Sequence, residues 1–273
     1  MPFISKYKKQ QHPFHMVTSS PWPFLTSFSI LFFFLSTIIY LHFWQTTGFI
    51  NICISLCCLI YCIFSWFSDI IIEGTFQGNH THKVYVGLVH GMLLFIVSEI
   101  MFFFAFFWAF FHSSLIPSIF IGAVWPPYNI EVLNPWGLPF LNTIILLSSG
   151  VSLTVAHRYL MLNTLKGNRR LFYFLLITVL LGILFTLLQI KEYIEAPFSI
   201  CSGIYGSVFF LATGFHGLHV LIGTTFLMVC LGRVKYFHFR RQRHLGFAAA
   251  AWYWHFVDVV WLFLFITFYW WGS

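Results

Sequence analysis

The sequence predicts an all-α integral membrane protein with seven transmembrane helices. Of the 273 residues, 59% are hydrophobic and only 8% are charged, whereas a soluble domain carries about 25% charged residues. The chain contains seven apolar runs, each close to the roughly 20 residues that a helix needs to cross a bilayer. Its basic residues lie almost entirely on one side of these seven runs, which is the asymmetry expected of a polytopic membrane protein.

Polar segments and segments rich in Pro and Gly separate the apolar runs. The predicted spans cover residues 22–44, 50–68, 84–112, 138–162, 171–190, 204–231 and 247–271. Gly167 and Asn168 mark the turn between the fourth and fifth spans. Five prolines between positions 117 and 139 predict a longer structured loop, with Trp125 and Trp136 at the membrane interface.

The distribution of Lys and Arg predicts the orientation of the chain. With seven spans, the N-terminal tail and the even-numbered connections share one side, which carries 13 of the 14 basic residues and leaves only Lys191 opposite. We therefore expect the N-terminus in the cytoplasm or mitochondrial matrix and the C-terminus in the opposite compartment. Because these residues flank spans and form no single basic face, they argue against nucleic-acid binding. They are Lys6, Lys8, Lys9, Lys83, Arg158, Lys166, Arg169, Arg170, Arg233, Lys235, Arg240, Arg241 and Arg243.

The cysteines and the start of the chain indicate no special processing. No paired CxxC framework is present, so the cysteines are predicted to be buried, reduced thiols. The first residues lack the apolar core of a secretory signal and the Arg-rich helix of a transit peptide, so we expect no cleavable targeting segment. The cysteines are Cys53, Cys57, Cys58, Cys62, Cys201 and Cys230.

Two acidic residues lie well inside predicted spans. Counting His as neutral, Glu99 has 15 uncharged residues before it and 31 after it, and an ionisable group at this depth costs at least roughly 2.5–3.5 kcal/mol on insertion scales. We expect Glu99 to be a protonated carboxyl bonded to a neighbouring helix, or a group that exchanges protons or contacts a partner. Asp258 follows His255 by one helical turn, which predicts a polar pair or a contact with a neighbouring subunit.

Histidine spacing raises the possibility of a metal site. His216 and His219 are three residues apart and would present two imidazoles on one helix face. No Cys, Asp or Glu cluster accompanies them, although catalytic zinc and iron sites usually need one. Nearby Gly214, Gly217 and Gly223 are predicted to allow close helix approach.

The residues alone leave several function classes open. A transporter would use Glu99 and Asp258, but no internal repeat and no pair of broken helices is visible. A dihaem cytochrome would use His216 and His219. No Gly-rich phosphate loop, GxSxG elbow or HExxH motif is present, so we expect no complete catalytic site in the chain itself.

A set of short motifs runs through the chain in a fixed order. They are HPFHMV, SPWP (Ser20 to Pro23), GTFQGNHT (Gly74 to Thr81), LFIVSE (Leu94 to Glu99), FFWAFFHSSL (Phe106 to Leu115), WPP (Trp125 to Pro127), LNP (Leu133 to Pro135), LNTIILLSSG (Leu141 to Gly150), YGS, FFLATGFHGLHVLIG (Phe209 to Gly223), AWYWHFVDVVWLFLF and YWWGS. In number, order and spacing they resemble subunit III of cytochrome c oxidase over nearly the whole chain.

The resemblance implies a non-catalytic core subunit of the complex that reduces oxygen with electrons from cytochrome c. It implies one seven-span domain over residues 1–273, with the tail and two helices in 1–68, five helices in 69–273, and a lipid-filled cleft between these two groups. Haem and copper would belong to subunits I and II, and this chain would hold structural phospholipids but no metal. Its partners would be those subunits, accessory subunits and lipids, in the mitochondrial inner membrane. A quinol oxidase with an equivalent subunit is the close alternative.

The resemblance also implies roles for individual residues. Glu99 matches the carbodiimide-reactive carboxyl of the family, and Asp69 and Glu73 match acids on the side of proton uptake. His80 falls at a lipid-headgroup contact. The residues expected to bind lipid are His80, His82, His90 and Arg233.

The chain departs from the family pattern at several positions near the expected lipid contacts. Ser68 and Ile72 each stand where the family has Arg, and Val89 and His90 replace the Arg and Tyr of LRYG. Ala248 replaces a Glu, and Arg158 replaces the second His of an AHH motif. A phosphodiester is bound best by charge-assisted donors. The missing arginines therefore predict an altered set of bound lipids.

Overall fold

The computed structural model describes residues 12–43, 46–162 and 164–272, and within them every regular element is a helix, apart from one isolated β-bridge between Arg240 and Arg243. Seven helices are long and apolar enough to cross a membrane, so the predicted fold class is confirmed. They are α1 (Trp22–Phe43), α2 (Thr46–Thr75), α3 (His82–Leu115), α4 (Leu138–Leu162), α5 (Leu165–Glu195), α6 (Gly203–Lys235) and α7 (Leu245–Leu264). The last helix continues as a π-helix over Phe265–Trp271.

Two helices extend well beyond the predicted spans. The predicted second span ended at residue 68, but α2 continues to Thr75, since acidic residues near a helix end do not interrupt its backbone hydrogen bonds. The predicted fifth span ended at residue 190, but α5 continues to Glu195. It stops there because Ala196 precedes Pro197 and adopts an extended conformation.

The chain forms two compact units, Met1–Leu88 and Val89–Ser273, and their boundary falls inside α3. In the first unit, α1 packs along α2. Buried Ser29 and Cys62 meet across these helices, with 3.8 Å between the hydroxyl oxygen and the sulfur. Small side chains at such a contact allow close packing in lipid. The predicted tail residues Lys6, Lys8 and Lys9 lie outside the described residues.

The core of the second unit lies among α4, α5, α6 and α7. Each of these helices packs against the next in sequence, and α4 also packs against α7. Trp254 and Trp261 are fully buried. Their indole N–H groups donate to the hydroxyls of Ser149 at 2.8 Å and Thr143 at 2.9 Å on α4. These hydrogen bonds satisfy polar groups that could not bond to water inside a membrane bundle.

Two predictions about small residues need correction. All six cysteines are free, but only Cys62 and Cys230 are buried; a thiol can remain on a lipid-facing surface because it behaves as a small apolar group. Gly223 does allow close approach, since an added Cβ would lie 3.0 Å from Trp254. At Gly214 and Gly217 an added Cβ would meet no other described segment of this chain within 4 Å, so neither glycine is needed for helix packing inside the described residues.

Candidate functional site

Glu99 is paired with a histidine in the second unit. The carboxylate Oε2 of Glu99 on α3 lies 2.8 Å from Nε2 of His219 on α6. The side chain of His219 is 9% exposed and that of Glu99 is 21% exposed. Aromatic rings cover the imidazole, with centroid distances of 5.0 Å to Phe103 and 6.2 Å to Tyr253. The sequence predicted that Glu99 would find a partner but did not identify it.

The second ring nitrogen of His219 determines how many protons the pair holds. Nδ1 lies 2.7 Å from the carbonyl oxygen of Phe215, and a carbonyl only accepts, so Nδ1 must carry a hydrogen. The bond to Glu99 then contains one proton, either on the carboxyl or on Nε2. In both states the pair has no net charge, which favours it in a weakly polar environment.

The second predicted carboxyl has a different environment. Asp258 is buried, and its Oδ2 lies against Gly150 of α4, 2.7 Å from the position of an added Cβ. His255 Nδ1 is 3.9 Å from Oδ2, which is too far for a hydrogen bond. The two side chains are thus close enough for an ion pair within the helix, as the predicted polar pair requires, but they form no direct hydrogen bond. The His255 side chain is 45% exposed and so presents a polar group on the outer surface of the unit.

The contact at Gly150 gives a direct prediction. We expect Gly150→Ala to lower the thermal stability of the assembled chain by about 1 kcal/mol, because the new methyl group displaces the Asp258 carboxyl. Gly217→Ala is the matched control, since its Cβ meets open space and Ala favours helix over Gly. Melting temperatures of the purified complex measure both, and equal stability of the two variants would contradict the predicted clash.

Three other predicted site residues meet in the first unit. The indole N–H of Trp22 donates to Asp69 Oδ2 at 2.6 Å, and His15 Nε2 lies 4.0 Å from Glu73 Oε2. These four residues and His80 line one cavity of about 410 Å³. The structure thus brings together both acids and one of the predicted lipid-binding histidines.

The remaining predicted lipid-binding residues do not line this cavity. His82 is exposed at the first position of α3, and His90 is exposed further along the same helix. Arg233 lies near the end of α6, where its guanidinium is 4.3 Å from the centre of the Phe239 ring. In the following loop, partial burial and the Arg233 charge lower the pKa of His238, so His238 adds no positive charge there near neutral pH.

One buried carboxyl was missed by the sequence analysis. Glu192 is 2% exposed on α5, and its Oε1 accepts hydrogen bonds from Tyr269 at 2.6 Å and Gln189 at 3.2 Å. Gln189 accepts in turn from Asn142 at 3.4 Å. Glu192 was missed because the predicted span ended at residue 190. The polar residues at 189, 192 and 193, which share one face directly after an apolar run, were the available signal.

The two histidines proposed for a dihaem site differ in their contacts, since His219 is bonded at both ring nitrogens whereas Nδ1 of His216 is buried without a hydrogen-bond partner among the described residues. Both ring nitrogens of His219 form hydrogen bonds, to Glu99 and to Phe215. His216 is fully buried, donates from Nε2 to the Val257 carbonyl at 3.2 Å and lies beside Trp261. Within residues 12–43, 46–162 and 164–272, no group of three or more His, Cys, Asp or Glu is placed to hold a metal ion.

Comparison with known proteins agrees with the sequence motifs. The family model described as cytochrome c oxidase subunit III matches residues 12–273. Proteins named cytochrome c oxidase subunit 3 are similar along almost their full lengths. The one from Prototheca wickerhamii is 59% identical over 97% of this chain and 99% of its own. Those from Marchantia polymorpha and Rattus norvegicus are 56% and 55% identical over 97% of this chain, and over 98% and 99% of their own.

Proposed function

This chain belongs to the cytochrome c oxidase subunit III family, and from that premise we propose that it is a non-catalytic scaffold for the subunit that carries the haem and copper. The complex passes electrons from cytochrome c to oxygen and lies in the mitochondrial inner membrane. The observation that carries the proposal is the pairing of Glu99 with His219. This pair, in which His219 is buried and Glu99 is half-buried, joins two helices of the chain and leaves no ring nitrogen of His219 open for a metal.

The support given to subunit I would be mechanical and electrostatic. Packing of the second unit against subunit I would keep the haem–copper site intact during repeated turnover. The acids Asp69 and Glu73 would lie on the matrix side, where the N-terminus and 13 of the 14 basic residues are predicted. There they would favour proton delivery to the uptake path of subunit I, because each carboxylate attracts cations over the short range of a Debye length, on a side whose other charges are mostly basic.

The test is to remove this chain from the purified oxidase. We expect the initial turnover rate to persist while the enzyme inactivates after fewer turnovers, and the isolated chain to show no Soret band. Immediate loss of turnover would instead indicate a catalytic role for this chain. A Soret band from the isolated chain would support the dihaem cytochrome alternative. The electron donor accepted by the intact complex, cytochrome c or a quinol, distinguishes the quinol oxidase alternative.

The cavity in the first unit supports a proposal about lipids. Two carboxylates, from Asp69 and Glu73, line it together with the imidazoles of His15 and His80. Among the residues that the structure describes, which begin at position 12, no Lys or Arg lines this cavity. A cavity with this charge favours an ammonium headgroup over an anionic phosphate, because like charges repel. We therefore expect phosphatidylethanolamine at this position.

Restoring the family arginines should change the bound lipid. The double variant Ser68→Arg and Ile72→Arg is expected to increase co-purified phosphatidylglycerol severalfold, because a guanidinium binds phosphate through paired hydrogen bonds. Lipid mass spectrometry of the purified complex measures the change, and Gln77→Arg, at an exposed position just after α2, controls for added charge. Equal phosphatidylglycerol in the parent and the double variant would contradict the prediction.

A further inference from the structure

The loop after α3 presents a cluster of exposed apolar side chains. Ile116 is 84% exposed, Ile119 is 89% exposed, and Phe120 is fully exposed. Between residues 113 and 137 the only charged residue is Glu131. An apolar cluster of this kind marks an interaction surface, because soluble surfaces seldom expose large side chains together.

Aromatic contacts hold the same loop against the ends of α3 and α6. Trp125 packs against Phe110 near the end of α3 and against Tyr205 in the first turn of α6, with centroid distances of 5.6 and 5.4 Å. Phe120 and Gly203, the first residue of α6, both line one shallow depression of the surface. The loop therefore folds back onto the ends of α3 and α6.

The short helix that carries the cluster is held in one conformation. It covers Ile119–Ile121, and the Ser118 hydroxyl accepts a hydrogen bond from the backbone N–H of Phe120 at 3.1 Å. At its other end Gly122 adopts a left-handed conformation with φ of 86°, and its N–H donates to the Ile119 carbonyl at 3.1 Å. The backbone polar groups at both ends are thus satisfied locally, which an interfacial segment requires.

We propose that Ile116–Ile121 is an interfacial anchor that inserts Ile116, Ile119 and Phe120 among the upper acyl chains of the bilayer. The exposed apolar surface of α3 leads directly into it, since Leu115 is also largely exposed. The loop that carries the cluster contains one charged residue, Glu131, whereas a protein interface is surrounded by a polar rim. Trp136 and Trp270, in contact at 6.3 Å, are exposed at the same end of the bundle, where aromatic residues mark the interface.

Photolabelling of the native complex in nanodiscs tests this proposal without any variant. One sample contains a phospholipid with a diazirine on an acyl carbon close to the headgroup. A second contains the same lipid with the diazirine at the acyl terminus, and a third receives a water-soluble diazirine. Mass spectrometry then locates the adducts within Ile116–Ile121.

The anchor predicts severalfold more adducts from the shallow lipid probe than from either of the other probes. Dominant labelling by the water-soluble probe would show that the segment faces solvent and would overturn the proposal. Absence of labelling by all three probes would show that another polypeptide covers the segment, and this would overturn it as well. None of these outcomes depends on turnover, so the anchor can fail while the proposed scaffold function stands.

Discussion

Glu99→Leu is expected to weaken the attachment of α3 to α6 by about 1–3 kcal/mol, because it leaves Nε2 of His219 buried without a hydrogen-bond partner. Glu99→Gln should cost less than about 1 kcal/mol, since the amide N–H can donate to Nε2 while Nδ1 still donates to the Phe215 carbonyl. The thermal midpoint at which the chain leaves the purified complex measures both effects. We expect the initial turnover rate to remain near that of the parent.

A double-mutant cycle provides the control for this prediction. His219→Leu alone should destabilise the complex, and adding it to Glu99→Leu should cost less than the sum of the single changes, because the two residues share one interaction. If Gln proved as damaging as Leu at position 99, the pair would have to be a carboxylate with an imidazolium. The mild effect expected for Gln rests on a protonated Glu99 carboxyl bonded to a neutral imidazole, and that result would contradict this state of the pair.

Glu192→Leu is expected to lower stability by about 2–4 kcal/mol, because the buried Tyr269 hydroxyl and Gln189 amide both lose their acceptor. Glu192→Gln keeps an acceptor for Tyr269 and should be much milder. Tyr269 lies in the π-helix that ends α7, so the Leu variant should also release the end of the chain. Hydrogen exchange over residues 265–271 measures that release.

Tyr269→Phe is the matched control for the Glu192 network. It removes one donor but leaves Glu192 bonded to Gln189, and we expect it to cost about 1 kcal/mol. Protection of residues 265–271 that is unchanged in Glu192→Leu would show that apolar packing, and not this network, holds the end of the chain.

Much of the fold could be predicted because membrane insertion is governed by local features. Hydropathy located seven spans, and the part of the chain that the structure describes contains seven helices at these positions that are long and apolar enough to cross a membrane. The ends of α2 and α5 were misplaced because hydropathy shows only which residues are apolar enough to lie in the bilayer core. A helix can continue beyond that core and ends where the backbone leaves the helical conformation, as at Ala196 before Pro197. The same error concealed Glu192, which lies beyond the apolar run and is nevertheless buried.

The sequence by itself determined the class, the number of spans and the family of this protein, because hydropathy, one-sided basic residues and motif order are properties of short segments. It also singled out Glu99 as a group that needs a partner. Only the tertiary structure decided the partners, since Glu99 meets His219 at a separation of 120 residues and Glu192 meets Tyr269 at a separation of 77. The physical reason is that these helices are apolar on nearly every face. Their periodicity therefore does not show which faces pack together, and the partner of each carboxyl depends on that packing.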